Sequence, residues 1–130
     1  MSIVPAPFAD LLERPLYGSL ATVSPAGKAQ SSIMCYAWDG ERLKFTHTAK
    51  RQKYHNLVAN PSAAFSVYDP ENPYRYLELR GVVDEIAPDP EGAFFTELHA
   101  RYAATFPLPV SDFPDRVVLH LRPESVHTQG

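Results

Sequence analysis

Cysteine is nearly missing from this chain. Cys35 is the only one, so no internal disulfide can form. A chain of 130 residues hides roughly two thirds of its unfolded surface and needs no such staple, so a reducing, cytoplasmic setting is expected. Long apolar runs are missing too. No stretch approaches the roughly 18 residues of a membrane helix, and the opening MSIVPAPFADLLERP has acids and prolines where a secretory signal has a basic and then an apolar run. No membrane partner is expected. Positive charge is not in excess: 12 basic against 15 acidic residues give a net charge of -3, which argues against a nucleic-acid partner. G-x-S-x-G, Walker and G-x-G-x-x-G motifs are all absent, which removes the usual supports for a hydrolase or a kinase. The length suits one domain spanning residues 1–130.

Proline is what the chain has in plenty. Its 13 prolines cluster between other patterns and act as punctuation, which disfavours long helices. Phe8 to Arg14 has Phe8, Leu11 and Leu12 on one side, a short helix stopped by Pro15. Leu16 to Val23 is rich in β formers, Ser24-Pro25-Ala26-Gly27 is a turn, and Lys28 to Trp38 runs back as a second strand. Asp39-Gly40 then turns into Arg42 to Thr48, predicting a meander of three antiparallel strands. Lys50 to Ala59 is a helix ended by Asn60-Pro61. Ser62 to Tyr68 and Tyr74 to Ile86 are strands around the loop DPENP, and in the second Leu77 and Leu79 alternate with Glu78 and Arg80. Pro90 to Thr105 is the longest helix, Phe106 to Pro114 a loop, and Arg116 to Arg122 a closing strand. The fold class is mainly β with short helices, six or seven antiparallel strands forming a small barrel.

One local charge pattern stands out. No Asp or Glu occurs between Lys44 and Tyr68, whereas Lys50, Arg51 and Lys53 all follow Thr48, which would be the N-cap of the next helix. Cations at a helix start face the positive end of its dipole, at a cost of about 0.3 to 1 kcal/mol each. The cost vanishes if an anion binds there, where free N–H groups and side-chain cations converge on it. The segment therefore reads as a phosphate clamp, with a solvated, salt-screened helix start as the competing reading. The preceding strand puts Thr46 and Thr48 on one face and Phe45 and His47 on the other. Ser32 lies on the strand before that, with Met34 nearby.

The five histidines and Cys35 form no compact ligand motif, so no metal is expected. Cys35 sits mid-strand as a small core residue rather than a nucleophile.

The order SPAGK, WDGERLKF, then FTHTAKRQKYHNLVANPSAAFSVYDPENPYRYLELRGVV resembles the flavin- and deazaflavin-binding split β-barrel proteins related to pyridoxamine 5'-phosphate oxidase. The resemblance runs from about Phe8 to Arg122 and is most specific at Arg51-x-Lys53, Asn56-Leu57 and Asn60-Pro61. It implies an FMN-binding split barrel, closest to the branch of probable coenzyme F420-dependent enzymes. By resemblance, Arg51 and Lys53 bind the cofactor phosphate, and Thr46, His47 and Thr48 line the strand approaching phosphate and ring. Ser32, Ile33 and Met34 flank that strand, and Asn56 and Tyr76 complete the cofactor-binding set. The family's homodimers share their cofactor clefts, so Tyr74 and Tyr76, or the loop Phe106 to Pro114, would reach the partner's site. The implied activity is hydride transfer from reduced F420 to an electrophilic small molecule. An FMN enzyme of the same fold, or a module that stores or senses a flavin or haem-type ligand, are the alternatives. Lys28, Arg75 and Arg80 are candidates for the acidic tail of F420. No side chain is assigned as a catalytic acid or base.

Overall fold

The structure is a computed structural model and describes residues 3–130. A short 3-10 turn, Ala6–Phe8, leads into α1 (Asp10–Glu13), two pieces where one helix is expected from Phe8 to Arg14. The strands are β1 (Gly18–Val23), β2 (Ala29–Met34), β3 (Ala37–Trp38), β4 (Leu43–Thr48), β5 (Ser62–Asp69), β6 (Asn72–Pro88) and β7 (Arg116–Gln129). α2 (Gln52–Ala59) follows β4, and α3 (Ala93–Arg101) follows β6. The seven strands form one antiparallel sheet in the order β2-β1-β5-β6-β7-β4-β3, curled into a half-barrel that matches a split barrel.

The expected meander does not form. Lys28 to Trp38 is two strands: β2 pairs with β1, Ser19 opposite Ile33, whereas β3 pairs with β4, Ala37 opposite Lys44. Tyr36 causes the break. Its ring is fully buried against Phe65, centroids 4.9 Å apart, its hydroxyl donates to the Leu11 carbonyl at 2.6 Å, and its N–H donates to the Tyr102 hydroxyl at 3.1 Å. With its N–H committed to a side chain, residue 36 leaves the ladder, and the chain crosses from one edge of the sheet to the other.

β4 presents Leu43, Phe45 and His47 to the interior, where Leu20, Phe65, Leu77, Leu79, Leu119 and Leu121 are also buried. α3 is shorter than Pro90 to Thr105. Gly92 is its N-cap in the left-handed region at φ 67°, and the Asp89 carboxylate accepts the N–H groups of Ala93 at 2.9 Å and Phe94 at 3.1 Å. β7 continues past Arg122. Pro123 is tolerated because the register slips between Arg80 and Gly81, a bulge that spares the missing N–H.

Arg14 and Arg75 bind Asp10, Asp69 and Glu71, tying α1 to the β5–β6 hairpin. Arg75 is therefore committed and is not free for an acidic tail.

Candidate functional site

α2 begins two residues later than its sequence suggests. Thr48 is buried in β4 and caps nothing, while Arg51 holds the N-cap position in extended conformation. No side chain caps the helix and no acid stands in its first turn, so its leading N–H groups lack an anionic partner. The three cations there then part company. Lys50 turns outward to Asp115 at 3.1 Å. Arg51 is exposed. Lys53 points inward, only 4% exposed, and its ammonium donates to the Ser32 hydroxyl, with the Met34 sulfur 3.4 Å away.

Among the described residues, neither Arg51 nor Lys53 has a carboxylate within ion-pair distance. A buried ammonium satisfied only by a hydroxyl and a thioether is costly, and burial followed by the Arg51 charge pulls the Lys53 pKa down. His47 adds to this. It is 5% exposed, and its Nε2 has no hydrogen-bond partner. Burial first, then Lys53, Arg51 and Arg116, depress its pKa to about 4, so the ring is neutral at ordinary pH. The start of α2 thus gathers cations suited to a phosphate-type anion, beside one idle ring nitrogen.

The residues expected at the site fall in three places. Lys53, Ser32 and Met34 are in direct contact, and Arg51 and His47 join them in one cationic cluster at the start of α2. Asn56 stands beside it as a brace. Its amide donates to Thr22 at 3.2 Å and Gln30 at 3.3 Å and accepts from Gln52 at 2.7 Å, leaving it little capacity for a ligand. Ile33 and Tyr76 lie elsewhere, in a cleft of about 720 Å³ on the outer face of the sheet, with Tyr17, Ser19, Tyr68 and Arg80. Alternation along β2 explains it: Ser32 and Met34 face Lys53, so Ile33 faces away. Arg80 there is paired with Glu78 at 2.9 Å. Thr46 also faces away from His47. With Cys35, Phe95, Leu98 and Tyr102 it lines a hollow of about 150 Å³ beneath α3, where its hydroxyl lacks a partner.

Arg116 is a cation acting on His47 that pattern reading misses, although its guanidinium packs over the Phe95 ring on the α3 side. It opens β7 opposite Thr48, and Asp112 holds its guanidinium at 2.9 and 3.0 Å. Only strand register could reveal it, because it lies far from Arg51 in sequence.

No group of three or more histidine, cysteine, aspartate or glutamate side chains is placed to hold a metal among the described residues, and no helix there is long and apolar enough to cross a membrane.

No curated protein matches the chain. Among solved structures, an F420 reductase is 56% identical, superposes with a TM-score of 0.93, and the match covers 95% of this chain and 98% of that one. The conserved hypothetical protein Rv2991 from Mycobacterium tuberculosis is 24% identical with a TM-score of 0.78, covering 97% and 84%. General Stress Protein 26 from Bacillus anthracis str. Sterne is 18% identical with a TM-score of 0.72, covering 94% and 90%. These last two speak to the fold alone. The family model for pyridoxamine 5'-phosphate oxidase matches residues 5–130, nearly the whole described chain. A half-barrel with an uncompensated cationic pocket beside β4, matched over that length, belongs to the pyridoxamine 5'-phosphate oxidase family.

Proposed function

We propose that this chain is an oxidoreductase that binds coenzyme F420 and reduces an electrophilic small molecule, such as an activated alkene or a quinone. One observation carries the reading. Lys53 is buried with no counter-charge, an arrangement that a ligand phosphate would complete. When bound, the reduced deazaflavin supplies the hydride; the chain supplies position and a drier surround. Arg51 and Lys53 would grip the phosphate, the free N–H groups at the start of α2 would face it, and Ser32 would hold the Lys53 ammonium in place. Ser32, Met34 and Lys53 bring α2 against β2, so the ring would lie along the end of β2. The F420 reductase at 56% identity favours the deazaflavin over FMN.

The chain would work as a homodimer. The outer cleft exposes Tyr17, Ile33 and Tyr68, with Tyr74 close by, and carries both Glu78 and Arg80. A two-fold copy laid on this face would cover the aromatic rings in an isologous contact. Ile33 and Tyr76 would then belong to the subunit contact, and Tyr76 would approach the partner's site from there.

Titration with F420 and with FMN, followed by ligand fluorescence, tests the reading. Tighter binding of F420 is expected, with Arg51→Ala and Lys53→Ala each weakening it by about 1.5 to 3 kcal/mol, as for a lost hydrogen bond to a charged group. Unchanged affinity in both variants would remove the site. Stopped-flow mixing of bound reduced F420 with quinones and enones tests the activity; oxidation no faster than that of free F420 would favour storage.

A further inference from the structure

The His47 ring is an ionisable group beside the proposed phosphate site, and the cofactor reading gives its protonation no role. It sits on the inner face of β4, 5% exposed, with Nε2 unpartnered. The charges that act on it are cations: Lys53 and Arg51 from α2, and Arg116 from the start of β7, whose guanidinium lies over the Phe95 ring and pairs with Asp112. The acids of the adjoining 112–115 segment are matched by other cations: Asp112 by Arg116 and Asp115 by Lys50. Burial and those cations keep the free imidazole uncharged. An anion docking among Arg51, Lys53 and the N–H groups of α2 reverses the sign of the local field, and Nε2 has no competing partner.

Resting on the proposed anion site, we propose that His47 is one of its ligand-binding residues and takes up a proton as the anion docks, so that binding and protonation are coupled. The step balances as one proton moving from solvent to Nε2, which then donates to the anion. Linkage fixes the sign. A group whose pKa is higher in the complex than in the free protein makes affinity rise as pH falls from the bound-state value towards the free one, and leaves it flat above. The free-state value is about 4, so the rise lies on the acid side of neutrality.

F420 is the right probe, because its phosphate is a diester that keeps one charge from acid to neutral pH. The monoester of FMN sheds its own proton in a cationic site and would give the opposite sign. Calorimetric titration of F420 into the full chain at about pH 5.5, in two buffers of different ionisation heat, counts the protons exchanged. Net uptake is expected, with affinity rising up to tenfold per unit of acidification. In His47→Gln, F420 should still bind, without uptake and without that slope. NMR titration of the wild-type His47 ring, with and without F420, needs no variant and should show its pKa raised by at least about one unit in the complex. Binding with no uptake, uptake that survives in His47→Gln, or an unmoved His47 pKa would each overturn the coupling and leave the anion site standing. Failure of the wild type to bind either cofactor would overturn both.

Discussion

The Lys53 ammonium donates to the Ser32 hydroxyl, and through that one bond the first turn of α2 is fastened to β2, an edge strand of the sheet. A buried cation held by neutral groups is a poor stabiliser of an empty protein. Lys53→Met keeps the length and removes the charge. It should raise the stability of the ligand-free chain by about 1 to 3 kcal/mol in urea denaturation while weakening F420 binding. A variant that loses both stability and affinity would show that the charge already has a partner in the free protein.

Asp89 gives a contrasting case, structural rather than ligand-directed. Its carboxylate satisfies the N–H groups of Ala93 and Phe94 at the start of α3. Asp89→Ala should cost about 1 to 2 kcal/mol in chemical denaturation and leave F420 affinity within twofold.

Gly81 lies on β6 opposite the bulge in β7, where Arg80 faces Ser125 and Gly81 faces Pro123. A methyl group there would sit 2.0 Å from the Arg122 carbonyl oxygen, which belongs to backbone and cannot swing away. Gly81→Ala should destabilise the chain by about 1 to 3 kcal/mol, read as a lower thermal midpoint. An unchanged midpoint would mean that β7 shifts freely at the bulge.

Acid should loosen α1 before the barrel. The hydrogen bond from Arg75, more than any other contact, holds the Asp10 carboxyl below its ordinary range, with Arg14 adding to it. A carboxyl with a depressed folded pKa stabilises fully above its unfolded value and loses that contribution as pH falls through the folded one. Asp10→Asn should therefore lower stability near neutral pH and flatten its fall below the usual carboxylate range. Denaturant midpoints across an acid series would measure this.

Much of the barrel is legible in alternation: Leu77 and Leu79 against Glu78 and Arg80 mark the two faces of β6. The run from Lys28 to Trp38 was not readable as two strands. Nothing local marks Tyr36 as a core residue whose amide binds the distant Tyr102 hydroxyl. Lys53 is legible through its misplaced charge, a signal confined to one stretch of chain. Thr46 and His47 were harder. Adjacent strand residues point to opposite faces, and only the position of α3 shows that Thr46 looks into a different hollow. Arg116 comes opposite Thr48 through register alone.

Residues 35 and 36 link the two free borders of the sheet, β2 and β3, by a single short stretch of backbone. Borders joined this way share their fraying, since an outermost strand cannot peel without tugging the other through Tyr36. Whatever occupies the Lys53 pocket would brace β2 and, through that stretch, β3. Slower amide exchange along both borders in the liganded protein is the mark such bracing would leave.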